Sequence, residues 1–208
     1  TVGMLNPPYA QSKSDAELHE LYFVKQMLDC LEPGSLGVAI VPMSCATVYK
    51  PVRDELMKSH TLDAVMSMPA ELFHPVGTVT CIMVWIAGVP HEKSNRKTWF
   101  GYWRDDGFVK TKHKGRIDQN GTWPSIRDRW IEMYRNREVH AGESVTYAVK
   151  AADEWCAEAY IETDYSKLTQ ADFERAVQDY AIFNLMGLQS KANEEEEADE
   201  GDDDAESQ

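Results

Sequence analysis

Leu36-Gly37-Val38-Ala39-Ile40-Val41 is an unbroken apolar run, bounded by Pro33-Gly34 before it and Pro42 after it. A short apolar run without alternation, held between turn residues, reads as a β-strand covered on both faces. Upstream, Leu21, Val24, Leu28 and Leu31 recur at three- and four-residue spacing, the mark of one helix face. Ser14-Asp15-Ala16-Glu17 offers that helix a capping box, and Pro33-Gly34 ends it. Before the helix, Thr1 to Leu5 is a short apolar strand that runs into Asn6-Pro7-Pro8-Tyr9. Two prolines cannot continue a ladder, so the strand stops there.

Downstream, Val48 to His60 carries helix formers, with Pro51 tolerable only near its first turn. Leu62 to Met68 is a second buried strand. Residues 72–77 form a loop, and Thr78 to Ile86 is β-branched and apolar, a third strand. The order strand, helix, strand, helix, strand, strand predicts an α/β sheet. Only about ten residues join the last two strands, too few for a parallel crossover, so that pair is expected antiparallel.

The texture changes after Gly88. Trp99 to Trp103 reads as a short strand, Asp105-Asp106-Gly107 and Asn120-Gly121 as turns, and Pro124 to Arg137 as a charged helix with Trp130 and Tyr134 on one face. Ala141 to Thr163 has no clear period. Thr169 caps a further helix with Phe173, Val177, Tyr180 and Leu185 on one side and Gly187 as its stop. Three regions are expected: 1–88, 89–188, and an acidic tail over 189–208.

Charge is uneven along these regions. Lys191 to Gln208 holds ten acidic residues and one Lys, a net of −9, which leaves −5 of the total −14 for the rest. Such a tail cannot bury apolar surface and is expected to be disordered. Lys93 to Arg137 holds 12 Lys or Arg against five acids. This band suits a polyanion, or is an ordinary solvated face. The four cysteines show no CxxC spacing. Cys45 and Cys81 lie in apolar runs and are expected as buried free thiols, and no zinc site is expected. No apolar run approaches the length of a membrane span and no signal peptide is seen, so a cytoplasmic protein without membrane contact is expected.

Asn6-Pro7-Pro8-Tyr9 carries the chemistry. The Asn6 side-chain oxygen and the Pro7 carbonyl are two acceptors, and the prolines fix φ so that little ordering is needed. Tyr9 offers a ring on which a planar group can stack. Such a site suits an amino group held by both hydrogens. A proline-rich turn at a strand end is the plain structural alternative.

The tetrapeptide resembles the acceptor motif of amino-group methyltransferases, where it also follows a short apolar strand. Leu36 to Pro42, Leu62-Asp63-Ala64-Val65, Met68-Pro69, Leu72-Phe73, Gly77-Thr78-Val79-Thr80 and Asp106-Gly107-Phe108 then resemble elements of N6-adenine DNA methyltransferases. They are most similar to the modification subunit of type I restriction–modification systems, and the match covers roughly residues 3 to 110. Single-chain restriction systems share much of the pattern. Protein-glutamine methyltransferases and some RNA guanine methyltransferases share the tetrapeptide alone.

The resemblance implies a fold, a reaction and a set of partners. The fold is the carboxy-terminal half of a Rossmann-like methyltransferase sheet, mixed, with its last strand antiparallel, plus a smaller α-rich region. The reaction is methyl transfer from S-adenosylmethionine to adenine N6. The partners are double-stranded DNA and specificity and restriction subunits. Asn6 and Pro7 would hold the target amino group, with Pro8 stiffening the turn, and Tyr9 would stack on the extruded base. Phe73 is either a second stacking wall or a core residue of its loop. His74 is expected to bond to backbone, with no catalytic role.

One departure from the family is large. Its Gly-rich cofactor turn lies upstream of the tetrapeptide and is not in these residues; Gly34-Ser35-Leu36-Gly37 follows a helix and precedes a strand, the wrong order. The chain is therefore expected to be a fragment that is itself inactive, without a cofactor pocket. A second reading is a non-catalytic module that binds DNA or a specificity subunit through the basic Lys93–Arg137 band and a carboxy-terminal helix. An exposed sheet edge, at residues 1–5 or 36–41, is expected either to pair between copies, to refold, or to be covered by the region from Gly88 to Leu188.

Overall fold

A computed structural model describes residues 1–8, 19–73, 77–163 and 168–184. The chain divides into two compact units, Thr1–Thr163 and Asp164–Gln208. The first is built on a six-stranded mixed sheet. Its strands are β1 (Val2–Leu5), β2 (Leu36–Pro42), β3 (Thr61–Ser67), β4 (Thr80–Ile86), β5 (Thr98–Tyr102) and β8 (Ser144–Tyr147), in the spatial order β1-β2-β4-β3-β5-β8. β6 (Val109–Thr111) and β7 (Gly115–Ile117) form a separate hairpin.

The expected alternation of strands and helices is present. α1 (Glu20–Asp29) separates β1 from β2, which pair in parallel. α2 (Ser44–Thr47) and α3 (Val52–Ser59) separate β2 from β3. β3 and β4 are antiparallel, as their short connection requires. β4 enters between β2 and β3 and is antiparallel to both. Every residue of β3 is buried, consistent with its non-alternating sequence.

α1 lies on β1 and β2 through Leu21, Val24 and Leu28, all essentially inaccessible. Its close approach depends on Gly37. A β-carbon there would stand 2.3 Å from the Leu28 side chain. The capping box at 14–17 falls outside the described residues. The first cap that can be described is His19, whose Nδ1 accepts the Leu21 N–H at 3.3 Å. Pro51 stands at the amino end of α3, where its missing N–H is harmless.

Two apolar layers cover the sheet. One contains α1, α3, Cys81, Met83 and Trp85 of β4, and the segment around Trp155. The other contains Ala64, Met66, Val84, Trp99 and Trp103 with Met133 of α4 (Trp123–Asn136), against which Trp130 and Tyr134 pack. Trp103 and Trp130 are stacked within 1° of parallel at 5.0 Å. Cys45, Cys81 and Cys156 are buried free thiols and Cys30 is an exposed one.

Residues 89–163 widen the same sheet: β5 pairs in parallel with β3, and β8 pairs with β5. The expected cover of the β1 edge does not come from these strands. They add at the opposite edge, because β4 holds β3 on the outside, where β5 can reach it. β1 remains the end strand, with Val2 and Met4 exposed, and β2 is internal.

In the second unit residues 170–184 are helical. Thr169 caps this helix through Asp172, whose carboxylate accepts both the Thr169 N–H and its hydroxyl. Leu185, Gly187 and the acidic tail lie outside the described residues. Among the described residues no helix is long and apolar enough to cross a membrane.

Three histidines link this packing to pH. Burial holds His19, His60 and His91 below their ordinary value of 6.5, against the opposing pull of Glu20, Asp29 and Glu92 respectively. His60 shows why its neutral form fits. Its Nδ1 accepts the Gly88 N–H at 3.0 Å, and its Nε2 faces Asp29 at 3.2 Å. A base depressed in the fold binds fewer protons folded than unfolded. Stability is thus complete above about pH 6.5 and declines as pH falls from there towards the lower folded values. The melting temperature is expected to fall between pH 7 and pH 5.5 in calorimetry; a flat profile over that range would contradict this.

Candidate functional site

The connectivity brings the sequence motifs to one edge of the sheet. β1 ends at Leu5, and Leu5 is in register with Ala39 of the parallel β2. Pro42 at the end of β2 is opposite Thr80 at the start of β4, and Ser67 at the end of β3 is opposite Cys81. Tyr102 at the end of β5 is in register with Ser67. Asn6-Pro7-Pro8, residues 68–73 and 77–79 of the β3–β4 connection, and the exit from β5 therefore share the carboxyl edge. In open α/β sheets this is where ligands bind. β2 alone separates β1 from β4, so these two strands run about 10 Å apart.

Asn6 is exposed, Pro7 is buried and Pro8 is exposed. A buried ring next to an exposed amide fixes the backbone while leaving the Asn6 side chain open to a ligand. Tyr9 falls outside the described residues, as does His74. Phe73 is half-buried in a turn that follows the Pro69 carbonyl-to-Leu72 N–H bond of 3.2 Å.

The stem of that loop is fastened from three sides. The Met43 N–H donates to the Val79 carbonyl at 2.8 Å, and the Met68 N–H to the Thr80 carbonyl at 3.1 Å. Arg104, leaving β5, donates to the Met68 carbonyl at 3.2 Å and forms an ion pair with Glu158. The Ser67 hydroxyl donates to the same Glu158 carboxylate at 2.6 Å. Burial pushes the Glu158 carboxyl up, but the Ser67 and Arg104 hydrogen bonds outweigh it and hold it below its ordinary value. Glu158 is thus ionised at neutral pH, and the loop stem rests on an ion pair between segments 54 residues apart.

A second cluster sits where α1 begins and β2 ends. His19, Glu20 and Cys45 bring one donor atom each within 4.8 Å of one another. This is the set among the described residues that could hold a metal ion. Its own bonding satisfies it differently. His19 Nδ1 is engaged with the Leu21 N–H, which leaves the proton on Nε2, 3.8 Å from Glu20. Burial pushes the Cys45 thiol up, and Glu20 adds to this, so the sulfur stays protonated. His19 and Glu20 are adjacent but Cys45 lies 25 residues further on, and no spacing rule joins it to them.

The basic band is largely neutralised in place. Arg96 and Arg137 both pair with the buried Asp63. Lys110 pairs with Glu71, Arg116 with Asp106, Arg127 with Asp128, and Arg129 with Glu143. With Arg104, seven of the twelve bases are engaged, several with carboxylates from outside the band.

A family described as N-6 DNA Methylase matches residues 5–186. The type II restriction enzyme and methyltransferase RM.BcgI of Heyndrickxia coagulans is 32% identical over 189 residues, which is 88% of this chain and 29% of that protein. A chain from a solved type I restriction–modification system superposes with a TM-score of 0.56 at 17% identity, covering 95% of this chain and 45% of that one. The methyltransferase subunit of the type I system of Streptococcus thermophilus superposes with a TM-score of 0.55 at 15% identity, covering 71% and 34%. At these identities the structural likeness concerns the fold. The chain spans less than half the length of each of these relatives.

Proposed function

The chain belongs to the N-6 DNA Methylase family, and from that premise we propose that it carries the acceptor side of a DNA adenine-N6 methyltransferase of a restriction–modification system. The observation that carries the reading is the exposed Asn6 beside buried Pro7 at the carboxyl edge of the sheet. Adenine N6 is a weak nucleophile because its lone pair is delocalised into the ring. The Asn6 side-chain oxygen and the Pro7 carbonyl accept its two hydrogens, draw the lone pair out of conjugation with the ring and stabilise the positive charge that develops on nitrogen. Tyr9, and Phe73 from the facing loop, hold the extruded base by stacking.

S-adenosylmethionine is the proposed methyl donor. Among the described residues no glycine-rich turn leads from a strand into a helix. No residue is assigned to the donor, and these 208 residues alone are proposed to transfer no methyl group. One similar solved structure comes from a type I system, and specificity and restriction subunits are proposed as partners with duplex DNA.

Labelled S-adenosylmethionine and adenine-containing duplex DNA, incubated with the full-length natural protein, are expected to yield labelled N6-methyladenine after digestion. Label on a glutamine of a protein substrate, with none on DNA, would sink the reading.

A further inference from the structure

We propose that the turn of the β6–β7 hairpin, through Lys112 and Lys114, is a phosphate contact that holds the DNA backbone beside the catalytic edge. The inference rests on the DNA-methyltransferase reading above and adds the residues that grip the duplex.

Position singles the hairpin out. Of the twelve bases between Lys93 and Arg137, five have no ion pair among the described residues: Lys93, Lys97, Lys112, Lys114 and Arg135. Lys93 follows the Pro90–His91 turn that bonds to the end of α3, and Lys97 precedes β5. Both are at the amino edge, away from Asn6. Arg135 is near the end of α4, whose C-cap Arg137 reaches Asp63 in the first half of β3. Of these five, Lys112 and Lys114 are the ones left on the side of the carboxyl edge. Both are exposed, at the tip of a two-stranded ribbon.

The ribbon is tied to the loop that carries Phe73. Lys110 of β6 pairs with Glu71 at 3.6 Å. Leu72 shares a hollow with Phe108, Gly115, Arg116 and Trp123. Below the tip, Arg116 is held by Asp106 through two hydrogen bonds of 2.9 and 2.7 Å and covers the Phe108 ring. Asp106 thus spends its charge on Arg116, and the tip lysines keep theirs. The Thr111 hydroxyl accepts the Lys114 N–H at 3.1 Å and donates to the Gly115 carbonyl at 2.9 Å, which fixes the turn that presents them. On a chain of net charge −14, an anchored pair of cations with no ion pair among the described residues, beside the loop that carries Phe73, is complementary to a phosphate backbone.

The test is a salt titration of duplex DNA binding by the full-length protein, comparing the double variant Lys112→Gln/Lys114→Gln with Lys93→Gln/Lys97→Gln. Each lost phosphate contact flattens the log–log salt slope by about 0.9, so the hairpin variant is expected to lose about 2 from it, and the control pair none. Melting temperatures are expected to match wild type. An unchanged slope in the hairpin variant, or an equal change in the control, would overturn the assignment while leaving the methyltransferase reading intact. A wild-type protein that does not bind DNA at low salt overturns both.

Discussion

Asn6→Ala is expected to lower methyl transfer to adenine by about 10²–10³-fold, the loss typical when one preorganised polar group facing a developing charge is removed. The substitution leaves Pro7 and the β1–β2 register untouched, and Asn6 is exposed, so the fold is unaffected. The remaining Pro7 carbonyl can hold one amino hydrogen, but one acceptor does not fix the direction of the lone pair. The loss should therefore appear in kcat, with DNA affinity close to wild type. Asn6→Asp retains an acceptor oxygen at the same place and should recover part of the rate. Steady-state kinetics on the full-length protein with a single-site duplex decides the matter. An Asn6→Ala protein within tenfold of wild-type kcat would remove Asn6 from the reaction.

Trp155→Ala is expected to destabilise the chain by about 3–5 kcal/mol, the usual cost of emptying a buried Trp site. Folded domains have only about 5–15 kcal/mol in total, so the variant should stand near the threshold of unfolding. Trp155 is fully buried and meets Trp85 edge-on at 5.6 Å. Its indole N–H donates to the Lys150 carbonyl at 2.9 Å, and its backbone N–H to the Ala46 carbonyl at 2.8 Å. The Arg53 guanidinium lies 3.7 Å over its ring. Burial lowers the Arg53 pKa to about 10, yet it remains charged, held by the Asp153 carbonyl at 2.6 Å. Without the indole that buried cation loses its stacking surface, which places the cost towards the upper end of that range. Trp155→Phe keeps a ring for Arg53 and should lose less. Urea denaturation measures both; a loss below about 1 kcal/mol for the alanine variant would contradict this account.

The elements that were legible in the sequence are those whose signals are local. The apolar run at 36–41, the Pro51 start of α3 and the Trp130/Tyr134 face of α4 each follow from residues within one turn or one strand. The antiparallel β3–β4 pair follows from the length of the connection. The order of the strands does not. Nothing near Trp99 says that β5 pairs with β3 on its outer side, because that choice depends on β4 having already filled the inner one. The same limit applies to charge. The net +7 of residues 93–137 is a property of composition, but Asp63, Glu71, Glu143 and Glu158 neutralise parts of it from elsewhere in the chain. At the site, Asn6 and Pro7 were readable as a motif. The Arg104–Glu158–Ser67 support of the facing loop was not, since its members meet only in three dimensions.

The position of β4 has a consequence for how the chain assembles. β4 is made after β2 and β3, yet it is the strand that joins them. Until it arrives, β3 has no partner strand and β2 is paired on one edge alone, and the β2–β4 contacts that close the sheet span a long stretch of chain. Such non-local closure slows folding and exposes unpaired edges to aggregation. During synthesis the waiting time is set by the ribosome, which must first clear residues 80–86. Conservative truncations inside β4, such as Met83→Ala, should therefore retard refolding nearly in proportion to the stability they remove, whereas matching truncations in α4 should chiefly hasten unfolding.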